Sequence, residues 1–186
     1  GVFMKPIRVL HVVAIMNRGG LETMIMNHYR EMDRGKIQFD FLVHRTEKGV
    51  FDDEIRELGG KIHYLPKFNP FNIIKYNNEL DHFFKINQEY KIVHAHYNAL
   101  SMWCLRAAWR HGVPVRIAHS HLAYPQFNYQ TPIYWYARKK INKYCSHRFA
   151  CSKEAAEWLY SKEHASDAII FNNAIPLDKF IYNEEI

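Results

Sequence analysis

The sequence predicts an α/β fold, a doubly wound parallel sheet, on three observations. Short apolar runs alternate with segments of helical period from end to end. Several of the runs are nearly continuous in apolar or β-branched residues, as strands buried on both faces are. The loops after those runs are the ones richest in glycine, histidine and asparagine.

In chain order, strands are expected at 7–15, 37–43, 61–65, 90–95, 113–118, 147–151 and 168–171. After the first, Leu21, Met24, Ile25, His28 and Met32 fall on one helical face. Phe51, Ile55 and Leu58 make a shorter stripe, closed by Gly59-Gly60 as a helix stop. Residues 73–87, preceded by Pro66 and Pro70, read as a longer helix, and Leu100, Trp103, Cys104, Ala107 and Ala108 as the face of another. Ile133, Ala137 and Ile141 recur at helical spacing, and Ser152 before Lys153-Glu154-Ala155-Ala156 reads as a helix N-cap. In such a sheet ligands bind beyond the C-terminal ends of the strands. The loops at 16–20, 44–49, 96–98, 119–130 and 172–178 are therefore where a site is expected.

The chain has 186 residues, 48% of them hydrophobic, enough for one domain with its own core. No apolar run reaches the roughly 20 residues needed to cross a bilayer, and no signal peptide is visible. Three cysteines, Cys104, Cys145 and Cys151, lack paired metal spacing and suit reduced thiols in a cytosolic compartment. The net charge of +6 favours phosphates or anionic lipid as partners. No nucleic-acid-binding module accompanies that charge.

Three motifs carry chemistry. Gly19-Gly20 opens the first helix, where bare backbone and the helix dipole favour a phosphate; a tight strand-to-helix turn is the plainer reading. The pattern is neither G-x-G-x-x-G nor a P-loop. Two His-x-His pairs, His94-Ala95-His96 and His119-Ser120-His121, stand at strand ends. Residues two apart on a strand share a face, so each pair could ligate a metal or meet a sugar hydroxyl or phosphate. No carboxylate lies close in sequence to complete a metal set, and His94 reads best as a hydrogen-bonded strand residue. Third, Tyr124, Trp135, Tyr136 and neighbouring aromatics accompany Arg138, Lys139, Lys140 and Lys143. That composition suits an anionic bilayer surface or a lipid-phosphate acceptor; a core helix with cations near its C-terminus is the alternative.

Taken together these motifs resemble a known family. Ile7-Arg8-Val9-Leu10-His11-Val12 with Gly19-Gly20-Leu21-Glu22, then Val93-His94-Ala95-His96, Arg116-Ile117-Ala118-His119-Ser120-His121, Phe149-Ala150-Cys151-Ser152 and Asn172-Asn173-Ala174-Ile175-Pro176-Leu177-Asp178-Lys179-Phe180, follow in the order of the family-4 retaining glycosyltransferases of the GT-B fold. The closest likeness is to bacterial enzymes of capsular or exopolysaccharide synthesis. The resemblance implies that residues 1–180 are the N-terminal, Rossmann-like, acceptor-side domain. Residues 181–186 would begin a linker to a C-terminal domain that binds the nucleoside-diphosphate sugar. The family's Glu-x7-Glu donor motif does not occur in this sequence, so this fragment alone is expected to be inactive.

The resemblance further implies that Gly19 and Gly20 lie near the donor phosphates and that His121 or His119 meets the transferred sugar or leaving phosphate. It implies transfer with retention to a glycan or lipid-linked acceptor, with the nucleotide-sugar as co-substrate and no metal or other cofactor required. The expected place of action is the cytoplasm, at the inner face of the membrane. Two other classes stay open: a metal-dependent hydrolase using the His-x-His pairs, and a non-catalytic binding module.

Overall fold

The structure, a computed structural model, describes residues 5–121 and 131–171. Seven parallel strands form one sheet in the order β3-β2-β1-β4-β5-β6-β7. They are β1 (Ile7–Val13), β2 (Ile37–Val43), β3 (Ile62–Tyr64), β4 (Ile92–Ala95), β5 (Val115–Ser120), β6 (His147–Ala150) and β7 (Ile169–Ile170). Between them run α1 (Gly20–Glu31), α2 (Asp52–Glu57), α3 (Ile73–Ile86), α4 (Ser101–Arg110), α5 (Thr131–Tyr144) and α6 (Lys153–Ala165). The chain builds outward from β1 through β2 to β3. Helix α3 then crosses back and places β4 on the other side of β1. Strand order reverses there, and in such sheets ligands bind in the crevice beyond the C-terminal strand ends at that point.

Period-two alternation divides the side chains between two cores. Leu10, Val12, Val93, Ala95, Ala118 and Ala150 face the layer of α3, α4, α5 and α6. Val13, Phe41 and Val43 face α1 and α2, against Ile25, Met26, Tyr29 and Ile55. The odd-numbered face of β1 and its counterpart on β4 and β5 therefore belong to the less heavily covered side of the sheet. The histidines project from that side.

Most expected elements form, and the differences have local causes. β1 ends at Val13 rather than residue 15, because the His44 amide takes the carbonyls of Val13 and Ala14 at 3.2 and 2.9 Å and turns the chain away. β5 runs two residues further than expected, since His119 and Ser120 stay in register with Phe149 and Ala150 of β6. Gly59 adopts the left-handed backbone (φ 92°) that only glycine takes freely, and its amide closes α2 on Arg56. The Ser152 hydroxyl accepts from the Ala155 amide at 3.1 Å, the expected N-cap.

At the opposite end of the strands from the crevice, Asp40 of β2 is fully buried yet fully paired. Arg8 donates to both of its oxygens at 2.7 and 2.8 Å, and Tyr90 Oη and the Lys61 amide add two bonds of 2.7 Å each. Burial pushes the Asp40 carboxyl up, but Arg8, the Lys61 amide and Tyr90 outweigh it and hold the group below its ordinary range. This network is structural: it ties β1, β2 and β4 together far from the crevice.

Candidate functional site

The crevice is built from loop, helix start and strand ends. Gly19 is the N-cap of α1, with extended backbone (φ −118°, ψ 169°), and Gly20 is its first residue. Neither needs a left-handed conformation; among the described residues only Gly59 and Gly112 do so as glycines. A side chain added at Gly20 would meet nothing within 4 Å, whereas one at Gly19 would run into the Glu22 carboxylate. Local sterics thus give no reason for glycine at position 20. What remains is close approach from outside, to amides at the positive end of the helix dipole. The loop is braced from behind: Phe51 and Val50 donate their amides to Met16 O (3.0 Å) and Asn17 Oδ1 (2.9 Å).

Along the ends of β1, β4 and β5 lies a ladder of five imidazoles. His11 of β1 stands in register with His94 of β4, and His94 with Ile117 of β5, so His96 faces His119 across the strand ends. All five project from one face. His11 Nδ1 is 3.0 Å from His96 Nε2, and His96 Nδ1 is 3.0 Å from His121 Nε2. A separate pair joins His94 Nε2 to His119 Nδ1, also at 3.0 Å. Within each His-x-His pair the rings stack at 4.0 Å. The Asn98 side chain accepts the His121 amide at 2.9 Å and fixes the chain just past β5.

Burial keeps these rings neutral. It pushes His11 and His119 down to about 3 and His121 to about 4, and it drives His94 and His96 well below the ordinary imidazole value with help from their neighbours. A neutral imidazole has one N–H and one lone pair. The His11–His96–His121 chain therefore exists in two proton orders. One leaves an N–H at His121 Nδ1, the other a lone pair there. His11 Nε2, His119 Nε2 and His121 Nδ1 are buried without a protein partner. A cavity of about 150 Å³ lies against the ladder, lined by Met24, Ile25, Phe39 and Phe149 among others. A larger groove of about 690 Å³ runs between Tyr64 and α3 at the β3 edge, but it is apolar and remote from the switch point.

Of the residues expected in the site, His119 and His121 join one histidine cluster at the ends of β4 and β5, while Gly19 and Gly20 stand at the start of α1. His119 is a buried strand residue, and His121 lies just beyond the strand. His94 is a half-buried strand residue, hydrogen-bonded to another histidine, His119. His11 was not among the expected site residues; a lone histidine in an apolar run becomes visible only when β1 is laid in register against β4. Helix α5 buries Ala137 and Ile141 while Lys139, Lys140 and Lys143 stay exposed, beside Trp135 and Tyr136. Arg138 differs: it lies over Trp135 and Trp158, at 4.9 and 5.7 Å, half out of solvent. Tyr124 and the segment 172–180 lie outside the described residues.

This is an α/β sheet with two glycines at the start of its first helix and an imidazole cluster along the ends of β1, β4 and β5. A profile of Glycosyltransferase Family 4 matches residues 18–179, and the chain belongs to that family. It is 34% identical over 185 residues to EpsF of Bacillus subtilis (strain 168), which carries a glycosyltransferase name; the match covers 95% of this chain and 47% of EpsF. Over 74 residues it is 40% identical to CapH of Staphylococcus aureus, a capsular polysaccharide biosynthesis glycosyltransferase, covering 37% of this chain and 20% of CapH. Among solved structures, HepE of Anabaena in complex with UDP-glucose superposes with a TM-score of 0.63 at 14% identity, over 92% of this chain and 45% of HepE. The fold is one Rossmann-like half of the GT-B architecture, and the chain spans about half the length of EpsF.

No helix among the described residues is long and apolar enough to cross a membrane.

Proposed function

We propose that this chain is the acceptor-side half of an enzyme that transfers a sugar from a nucleoside-diphosphate sugar, with retention, to a glycan or lipid-linked acceptor in surface polysaccharide synthesis. The proposal places residues 1–180 in this domain and a linker from 181 onward, leading to a second, donor-binding domain. The observation that carries it is the open backbone at Gly20, at the head of α1 and at the switch point of a family-4 chain. HepE binds UDP-glucose, and CapH is named for capsule synthesis; both lend support to the donor and the product class.

The chemistry asked of this half is electrostatic. As the glycosyl bond to the diphosphate breaks, negative charge grows on the leaving oxygens, and the Gly19 and Gly20 amides with the α1 dipole stabilise it there. His121, a neutral imidazole in the proton order that leaves N–H at Nδ1, donates to the sugar or to the leaving phosphate. His119 sits behind it. The transfer itself is proposed to need no metal. Closure of the two halves excludes water and protects the donor from hydrolysis. The place of action is proposed to be the cytoplasm, with the exposed cations and aromatics of α5 against the inner membrane face.

The test is turnover by the chain joined to its C-terminal half, over a panel of uridine, guanosine and adenosine diphosphate sugars, with the product anomer read by NMR. Retention is expected, with no turnover by this half alone. His121→Ala should slow turnover by roughly a hundredfold, and far more than His94→Ala. Inversion of the anomer would sink the reading. So would low-micromolar binding of a nucleotide-sugar to this half by itself, about −8 kcal/mol, since it would put the donor site in the wrong domain.

A further inference from the structure

We propose that His96, His119 and His121 form a three-imidazole site for one divalent cation of the zinc class. The inference is independent of the transfer chemistry, which assigns no metal to this half.

Three rigid backbone positions make the site. His119 and His121 are separated by one residue at the end of β5, and His96 faces His119 from the end of β4. One ring nitrogen from each of the three lies within 4.8 Å of the others. Zinc bound tetrahedrally at 2.0–2.1 Å sets its nitrogens about 3.3 Å apart, and His96 Nδ1 and His121 Nε2 are already at 3.0 Å. Small ring rotations suffice to bring the set to that spacing.

The hydrogen bonds behind two of the three rings, His96 and His119, match what metal sites use. A ligating imidazole normally gives its second N–H to a neighbour, which fixes its tautomer and orientation. His119 has Nδ1 on His94 Nε2, leaving Nε2 buried and without a partner. His96 has Nε2 on His11 Nδ1, leaving Nδ1 directed at His121. His11 and His94 thus serve as orienting residues. A buried ring nitrogen without a partner is unfavourable, and a cation would satisfy His119 Nε2.

The ligand set also states which cation fits. Calcium and magnesium take oxygen donors, and among the described residues no carboxylate joins this cluster. Imidazole-only sets suit zinc, nickel, copper or cobalt. With three ligands a fourth position stays open, and His121, only partly buried beyond β5, leaves a way in. A second triad, His11, His94 and His96, shares His96. In that triad His94 Nε2 is already engaged with His119 Nδ1.

The experiment uses the untagged chain after chelator treatment. Calorimetry with Zn²⁺ should show one site of about micromolar affinity or tighter, and Co²⁺ should give the intense visible bands of tetrahedral coordination. His119→Ala and His121→Ala should each weaken Zn²⁺ at least roughly tenfold, whereas His11→Ala, which removes only an orienting contact, should weaken it less. Circular dichroism checks that each variant is folded, and the Co²⁺ spectrum of the unmodified chain needs no variant at all. Absence of a stoichiometric site, or octahedral Co²⁺ bands, would overturn the proposal. Binding that survives His121→Ala but vanishes in His11→Ala would overturn it too, by moving the metal to the other triad.

Discussion

His96 Nδ1 lies 3.0 Å from His121 Nε2, so the end of β4 is joined to the end of β5 through two neutral imidazoles. The contact holds only while at most one of the two facing nitrogens carries a proton. Adding a second proton would place two N–H groups, and soon two charges, nose to nose inside the sheet.

Acid should therefore destabilise the domain early. The ladder histidines and His44 have folded values depressed by burial, to about 3 for His11 and His119 and about 4 for His44 and His121. Depressed folded values mean that the unfolded chain takes up protons first. Stability is complete above the unfolded imidazole value of about 6.5 and is lost as pH falls from there toward the folded values. Each such ring adds about 1.4 kcal/mol of slope per pH unit in that window. Urea titrations at pH 7.5, 6.5, 5.5 and 5.0 should show a steep fall in stability below 6.5. A flat profile from 7.5 to 5.0 would show that these rings are not held neutral.

Asp40 should be far more sensitive than its distance from the crevice suggests. Four hydrogen bonds converge on it, two of them from Arg8. Asp40→Ala strands the Arg8 guanidinium, the Tyr90 hydroxyl and the Lys61 amide, and should cost roughly 3–5 kcal/mol. The double variant Arg8→Met, Asp40→Leu should recover part of that, because it removes both charges rather than one. Chemical denaturation of the three proteins checks the order.

How legible all this was in the sequence depends on whether a feature is local. The strand–helix alternation shows in single segments, because burial on both faces needs continuous apolar runs and burial on one needs a helical stripe. The Ser152 cap and the Gly59 stop are likewise decided within four residues. The end of β5 is not: His119 and Ser120 are strand only because β6 pairs with them. The ladder is less local still. His-x-His at two strand ends is readable, but His11 joins it through the register of β1 on β4. Arg138 looked like one of four equivalent cations; its place over Trp158 comes from packing α5 on α6.

Gly20→Ala tests the proposed phosphate contact apart from the stability of the helix. An added methyl meets nothing within 4 Å, and alanine in a helix is favoured over glycine by about 1 kcal/mol. The thermal midpoint should stay the same or rise. In the enzyme joined to its second half, kcat/KM for the nucleotide-sugar should nevertheless fall by roughly tenfold or more, as the methyl blocks close approach to the amides. Unchanged turnover would return Gly20 to a purely structural part.

Helix α5 makes the last prediction, and its residues divide into two groups. Lys139, Lys140 and Lys143 are exposed, next to Trp135 and Tyr136, each nearly half exposed, and Lys143 reaches over Trp109 at 6.0 Å. Cations near an anionic surface contribute roughly 1 kcal/mol each, less as salt rises, and aromatic rings settle at the headgroup level. The domain should co-sediment with phosphatidylglycerol vesicles at low salt, weakly at high salt, and weakly with neutral vesicles. Replacing the three lysines by glutamine should abolish that binding and leave the thermal midpoint nearly unchanged, since none of them is buried. Arg138→Gln should do the reverse. Its guanidinium lies between Trp135 and Trp158, where a partly desolvated cation–π contact is worth about 1–2 kcal/mol, so stability should drop while most vesicle binding remains. Equal binding to neutral and anionic vesicles, or loss of binding through Arg138 alone, would show that the exposed lysines are not what holds the protein to the surface.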